Sequence, residues 1–75
     1  MTRYRNLSGH SGVVAYETTP DSITLTFVGG ERYVYTDARP GRATVDRMKT
    51  MAAAGKGLST FVSRHVREDY ERKLD

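Results

Sequence analysis

Apolar and polar residues alternate from Ile23 to Phe27, with Ile23, Leu25 and Phe27 on one side and Thr24 and Thr26 on the other. A period of two marks a half-buried β-strand, because successive side chains point to opposite faces. Gly29-Gly30 interrupts the run and Tyr33-Val34-Tyr35 follows it, so the pattern predicts a hairpin whose second strand carries two tyrosines on one face. Upstream, Val13-Val14-Ala15-Tyr16 predicts a shorter first strand. Thr18-Thr19-Pro20-Asp21-Ser22 supplies turn chemistry between the first strand and the second. Asp37-Ala38-Arg39-Pro40-Gly41 ends the sheet pattern, and Pro40 suits the start of a helix.

From Arg42 the period changes. Val45, Met48 and Met51-Ala52 recur at spacings of three and four, which predicts a helix over residues 42–54, with Gly55 as its left-handed cap. Leu58, Phe61-Val62, His65-Val66 and Tyr70 continue the helical spacing and predict a second helix from about Ser59 to Arg72. On its other face Arg64–Glu68, Arg67–Glu71 and Glu68–Arg72 stand four apart, each pair contributing about 0.2–0.5 kcal/mol to a helix. Residues 1–10, with Asn6, Ser8 and Gly9, show no period and are expected to form a flexible N-terminal arm to a single domain over residues 11–75. The expected fold is α+β: a three-stranded antiparallel β-meander followed by two α-helices packed on one of its faces, in the order β-β-β-α-α.

The hairpin register decides what the tyrosines do. If Gly29-Gly30 is a two-residue turn, Thr26 pairs with Tyr33 and Leu25 with Val34, and directly opposed residues share a face. Tyr33 and Tyr35 then stand with Thr24 and Thr26 on the open face, away from the helices. A three-residue loop shifts the register by one and turns both tyrosines under the helices. The two-residue turn is the preferred reading, since Gly-Gly supplies its backbone angles without strain.

Composition narrows the function. Seventy-five residues make one small domain, and the absence of cysteine removes disulfides and cysteine-ligated zinc. The basic N-terminus is followed by no apolar stretch, and no run approaches the ~18 residues that span a bilayer. A cytoplasmic protein with no membrane partner is the expectation. The net charge is +3, and the excess lies in residues 39–75, which hold nine basic and five acidic side chains. His65 lies beside the apolar stripe of the second helix and His10 has no identifiable partners, so neither suggests a nucleophilic or acid–base site, and no acidic cluster has metal-ligand spacing. Gly55-Lys56-Gly57-Leu58-Ser59 lacks the glycine and hydroxyl spacing of a nucleotide-triphosphate loop. A single phosphate contact at the start of the second helix is the most it suggests. No enzyme, cofactor or metal is expected.

What remains is binding. Under the preferred register Tyr33 and Tyr35 form an aromatic platform on which bases of RNA or single-stranded nucleic acid stack, with Lys56, Arg64 and Arg67 meeting phosphates. The alternative is a protein-interaction or self-association module that uses the tyrosine face. Tyr16-Glu17, Leu25-Thr26-Phe27, the glycine turn, Tyr33-Val34-Tyr35, Pro40, Gly57-Leu58, Phe61-Val62 and Tyr70 together resemble the KTSC domain, over about residues 8–72. That small domain is named after the C-terminus of some lysyl-tRNA synthetases and also occurs alone, with a central Tyr-x-Tyr as its marker. The resemblance implies the same fold and no established activity; an RNA partner is implied only through the synthetase attachment.

Overall fold

The computed structural model describes every residue except Met1, Asn6, Ser8, His10, Arg67 and Asp75. Strands β1 (Thr2–Arg3), β2 (Val13–Thr19), β3 (Ser22–Phe27) and β4 (Arg32–Thr36) precede α1 (Arg42–Ala54) and α2 (Leu58–Phe61), the latter continuing as a π-helical turn over Val62–Val66; β5 (Arg72–Leu74) follows. The five strands form one antiparallel sheet in the order β1-β2-β3-β4-β5. The fold is α+β, with both helices after the first four strands. The expected three-strand meander is its centre, β2–β4, extended by a strand on each edge.

The preferred hairpin register is wrong. Leu25 faces Tyr33 and Ile23 faces Tyr35, and Phe27 N–H donates to the Glu31 carbonyl at 2.8 Å. Val28, Gly29 and Gly30 therefore make a three-residue loop. Only Gly30 takes a positive φ, +92°, the left-handed position that closes a three-residue hairpin. The shift turns Tyr33 and Tyr35 to the helix side, and Tyr35 is 1% exposed. Thr24, Thr26, Arg32 and Val34 take the other face.

Period two also fails at β2. Val13 faces Phe27 and Ala15 faces Thr26, so Val14 is an extra residue, a β-bulge. The bulge turns both Val13 and Tyr16, three apart, toward the helices.

The N-terminal segment is part of the structure where it is described. Thr2 and Arg3 pair with Tyr16 and Ala15, and Tyr4 is buried in the core. Tyr4 Oη accepts from Leu58 N–H at 3.3 Å, and Leu7 N–H donates to the Gly55 carbonyl at 2.7 Å. Asn6, Ser8 and His10 of the expected arm lie outside the described residues.

α1 buries Val45, Met48 and Ala52 against Ile23, Leu25 and Tyr35, as its spacing requires. Gly55 closes it at φ +79°, its N–H reaching the Met51 and Ala52 carbonyls. Pro40 does not begin the helix; it bridges to Thr36, and Arg42 starts α1. The second helix is much shorter than its apolar stripe suggests. After Val66 the chain leaves the helix, Glu71 N–H donates to the Val34 carbonyl at 2.7 Å, and β5 pairs with β4. Ladder bonds plus burial of the Tyr70 ring outweigh charge pairs of a few tenths of a kcal/mol each. The charges pair differently: Arg39 with Asp69 at 2.8 Å and Arg72 with Glu71 at 2.9 Å.

Candidate functional site

The register shift and the early helix end together create a cleft. Phe27, Tyr33 and Tyr35 form its sheet side, Ser59, Val62 and Ser63 its helix side, and Glu68 and Tyr70 arrive from the returning chain. Glu31, just past the hairpin loop, completes the lining. The cavity measures about 420 Å³, within the ~300–1,000 Å³ range of small-molecule pockets.

Its walls are aromatic. The Tyr33 ring lies 4.6 Å from that of Tyr70, tilted 47°, and 5.6 Å from that of Phe27 at 77°, nearly perpendicular. Tyr35 meets Tyr70 edge to face at 6.3 Å. These separations match the offset and T-shaped arrangements that aromatic quadrupoles favour. Tyr33 is half-buried, so part of its ring remains available. Across the β4–β5 ladder, Lys73 stands opposite Tyr33 and places its Nζ 5.6 Å from the ring centre, a cation–π contact. Burial pushes the Tyr35 phenol up to about 12, and the neighbouring Tyr33 and Tyr70 add to the rise. Tyr35 is thus a neutral phenol at the base of the sheet wall at any physiological pH.

The five residues singled out from the sequence do not form one surface. Tyr33 and Tyr35 share the cleft, Tyr35 as a buried wall and not as a stacking surface. Lys56 is exposed in the turn before α2. Arg64 is exposed on the π-helical turn, bordering a second open hollow with Arg39, His65 and Asp69 that shares Ser63 and Glu68 with the cleft. Arg67 lies outside the described residues. The phosphate contact suggested at the start of the second helix loses its support, since α2 has four residues and its first N–H, on Leu58, already donates to Tyr4. His65 stacks on Phe61 at 4.8 Å, with the Arg47 guanidinium 5.0 Å from that same ring, so it serves as an exposed packing residue.

Sequence reasoning missed Phe27, Glu31, Glu68, Tyr70 and Lys73 as neighbours of the tyrosine pair. Glycine at the third loop position was the available signal for the register that joins Phe27 and Tyr33. No local signal brings Tyr70 and Lys73 back to β4. Among the described residues, no group of three metal-ligand side chains converges, and no helix is long and apolar enough to cross a membrane. Compared with protein-family models, curated proteins and solved structures, the chain matches none.

Proposed function

We propose that this chain is a non-catalytic binding module that recognises a partner protein by admitting one of its side chains to the Tyr33 cleft. The observation that carries this reading is the half-buried Tyr33 ring in an open pocket walled by Phe27 and Tyr70. Pockets with aromatic walls and a few polar groups are the usual form of a recognition site. The π-helical turn at Val62–Val66 supports it, because such turns occur often at functional sites. It widens the backbone where Val62 and Ser63 line the cleft, while Val66 stays in the core. We also propose kinship with the KTSC domain. Part of the set that carries the resemblance supports this: Phe27, Tyr33, Tyr35, Val62 and Tyr70 line the cleft, and Leu58 and Phe61 belong to the core.

RNA or single-stranded nucleic acid is the second reading, on a different surface. Arg3, Ala15, Thr26, Arg32 and Leu74 form one row across the sheet face opposite the helices, and Arg72 stands in the next row beside Val34. Three arginines on a sheet face favour phosphates, although Glu17 shares that face and Glu71 pairs with Arg72.

Amide-resolved NMR of the whole chain separates the readings. Side-chain analogues such as phenol, n-butylamine and isobutanol, at millimolar concentration, should shift Phe27, Tyr33, Ser63 and Tyr70. If they leave the cleft unmoved while an RNA octamer shifts Arg3, Arg32 and Arg72, the nucleic-acid reading replaces the first. Contact with three phosphates would then give a log–log salt slope near −2, at about −0.7 per phosphate. A shift that grows with protein concentration alone would identify a second copy of the chain as the partner.

A further inference from the structure

The polar chemistry of the cleft indicates which side chain it admits. We infer that the Tyr33 cleft selects a cationic side chain, arginine or lysine, from its partner protein. This rests on the cleft being the binding site and adds the charge of what enters.

Three observations converge on it. First, the rings of Phe27, Tyr33 and Tyr70 meet at steep angles, 77° and 47°, so they enclose a corner and do not form a flat stack. Several aromatic rings lining one volume are also what aromatic cages use to hold ammonium groups. Second, the charged groups of the lining are Glu31 and Glu68, and the other polar side chains there are serine and tyrosine hydroxyls. Carboxylates only accept hydrogen bonds, so they complement a group with several N–H donors. Their negative charge disfavours a phosphate and attracts a cationic group. Third, the chain's own Lys73 already places its ammonium 5.6 Å from the Tyr33 ring. The ring attracts a cation even from a neighbouring strand, and the Lys73 ammonium opposes an incoming positive charge there.

The test uses matched pairs of probes on the intact chain at fixed ionic strength, followed by NMR shifts of Tyr33, Ser63 and Tyr70. Tetramethylammonium is compared with tert-butanol, and acetyl-arginine amide with acetyl-citrulline amide; each pair is similar in shape and differs in charge. The cations should bind more tightly by roughly 2- to 30-fold, the range that cation–π contact supplies. Glu31→Gln combined with Glu68→Gln should reduce that preference, with the dispersion of the amide spectrum reporting that the variant folds. Lys73→Met should raise the affinity for both cations, a gain that misfolding cannot mimic. Equal binding of charged and neutral probes at the cleft overturns the cation selectivity and leaves the cleft as a binding site. Weaker cation binding by Lys73→Met overturns the role given to the Tyr33 ring. No shift with any probe overturns both the selectivity and the site.

Discussion

Tyr35 offers the sharpest check on the register that builds the cleft. Under the observed pairing it faces Ile23 inside the core at 1% exposure, and its phenol is pushed up from 10.0 to about 12. Under a two-residue turn it would stand in water with Thr24 and ionise like an ordinary tyrosine. The folded chain therefore holds a proton on Tyr35 that the unfolded chain gives up above its own value near 10. Below that pH both states keep the proton, so Tyr35 adds no pH dependence to stability. Stability is lost progressively as pH rises through the folded value. A rise of this size amounts to roughly 2–3 kcal/mol when the loss is complete. A domain of this size has only about 3–5 kcal/mol to lose. Urea unfolding of the wild type and of Tyr35→Phe, at a series of pH values from 9 to 12, isolates the effect, because titrations elsewhere are common to both chains. The stability difference between them should move by about 2–3 kcal/mol in favour of the phenylalanine variant across that window. If the two chains lose stability in parallel, or if NMR of Tyr35 shows it ionising near 10, Tyr35 is not buried and the register is wrong.

Three further outcomes follow from the same packing. Gly55→Ala must force a side chain into φ +79° and bring its Cβ to 2.9 Å from Arg5 Cβ, whereas Gly30→Ala meets a positive φ with nothing within 4 Å. Thermal unfolding should show Gly55→Ala as the costlier change, Gly30→Ala losing about 1–2 kcal/mol. Tyr4→Phe removes the acceptor of the Leu58 N–H and should cost about 1–3 kcal/mol by chemical denaturation, the penalty of an orphaned buried donor. Lys49→Met takes away the ammonium bonded to the Thr19 and Pro20 carbonyls at 2.7 and 3.2 Å. Hydrogen exchange at the β2–β3 turn should quicken while the amides of α1 stay protected.

Much of the fold was legible because local pattern and final environment agree. Ile23, Leu25 and Phe27 alternate and do face the helices; Val45, Met48 and Ala52 recur at helical spacing and are buried. The errors fall where tertiary contact decides between locally equal choices. Gly-Gly fits a two-residue turn as well as the last two positions of a three-residue loop, and one residue of difference exchanges the faces of β4. Arg72, Lys73 and Leu74 carry no alternation and suit a helix; they form β5 because β4 presents an open edge. Thr2 and Arg3 are too few to show any period, yet they complete the opposite edge of the sheet. The candidate site was legible as a tyrosine pair and illegible as a cleft, since Tyr70 and Lys73 come from beyond the helices.

These departures act together. The loop register alone would bury Tyr33 and Tyr35 beneath whatever covered the sheet. A second helix running on to Arg72 would carry Tyr70 away from β4 and leave Tyr33 with only Phe27 beside it. Because the helix ends after Val66 and the chain turns back to pair with β4, Tyr70 reaches Tyr33 and Lys73 reaches the ring from across the ladder. The π-helical turn and the returning chain then border one open cleft against β3 and β4. What lies between them is an aromatic corner with Glu31 and Glu68 in its lining, set by one loop residue, one wide helical turn and a strand of three residues. In a chain this small an unfilled volume against the core costs stability, since the exposed part of each ring forgoes burial worth about 25 cal/mol per Å². That cost is recovered when a partner's side chain covers the exposed part of Tyr33. Occupation of the cleft should therefore raise the unfolding midpoint as well as shift the spectrum; a probe that shifts the cleft amides and leaves the midpoint unmoved binds the unfolded chain equally well, and its shifts then count against a site formed by the fold.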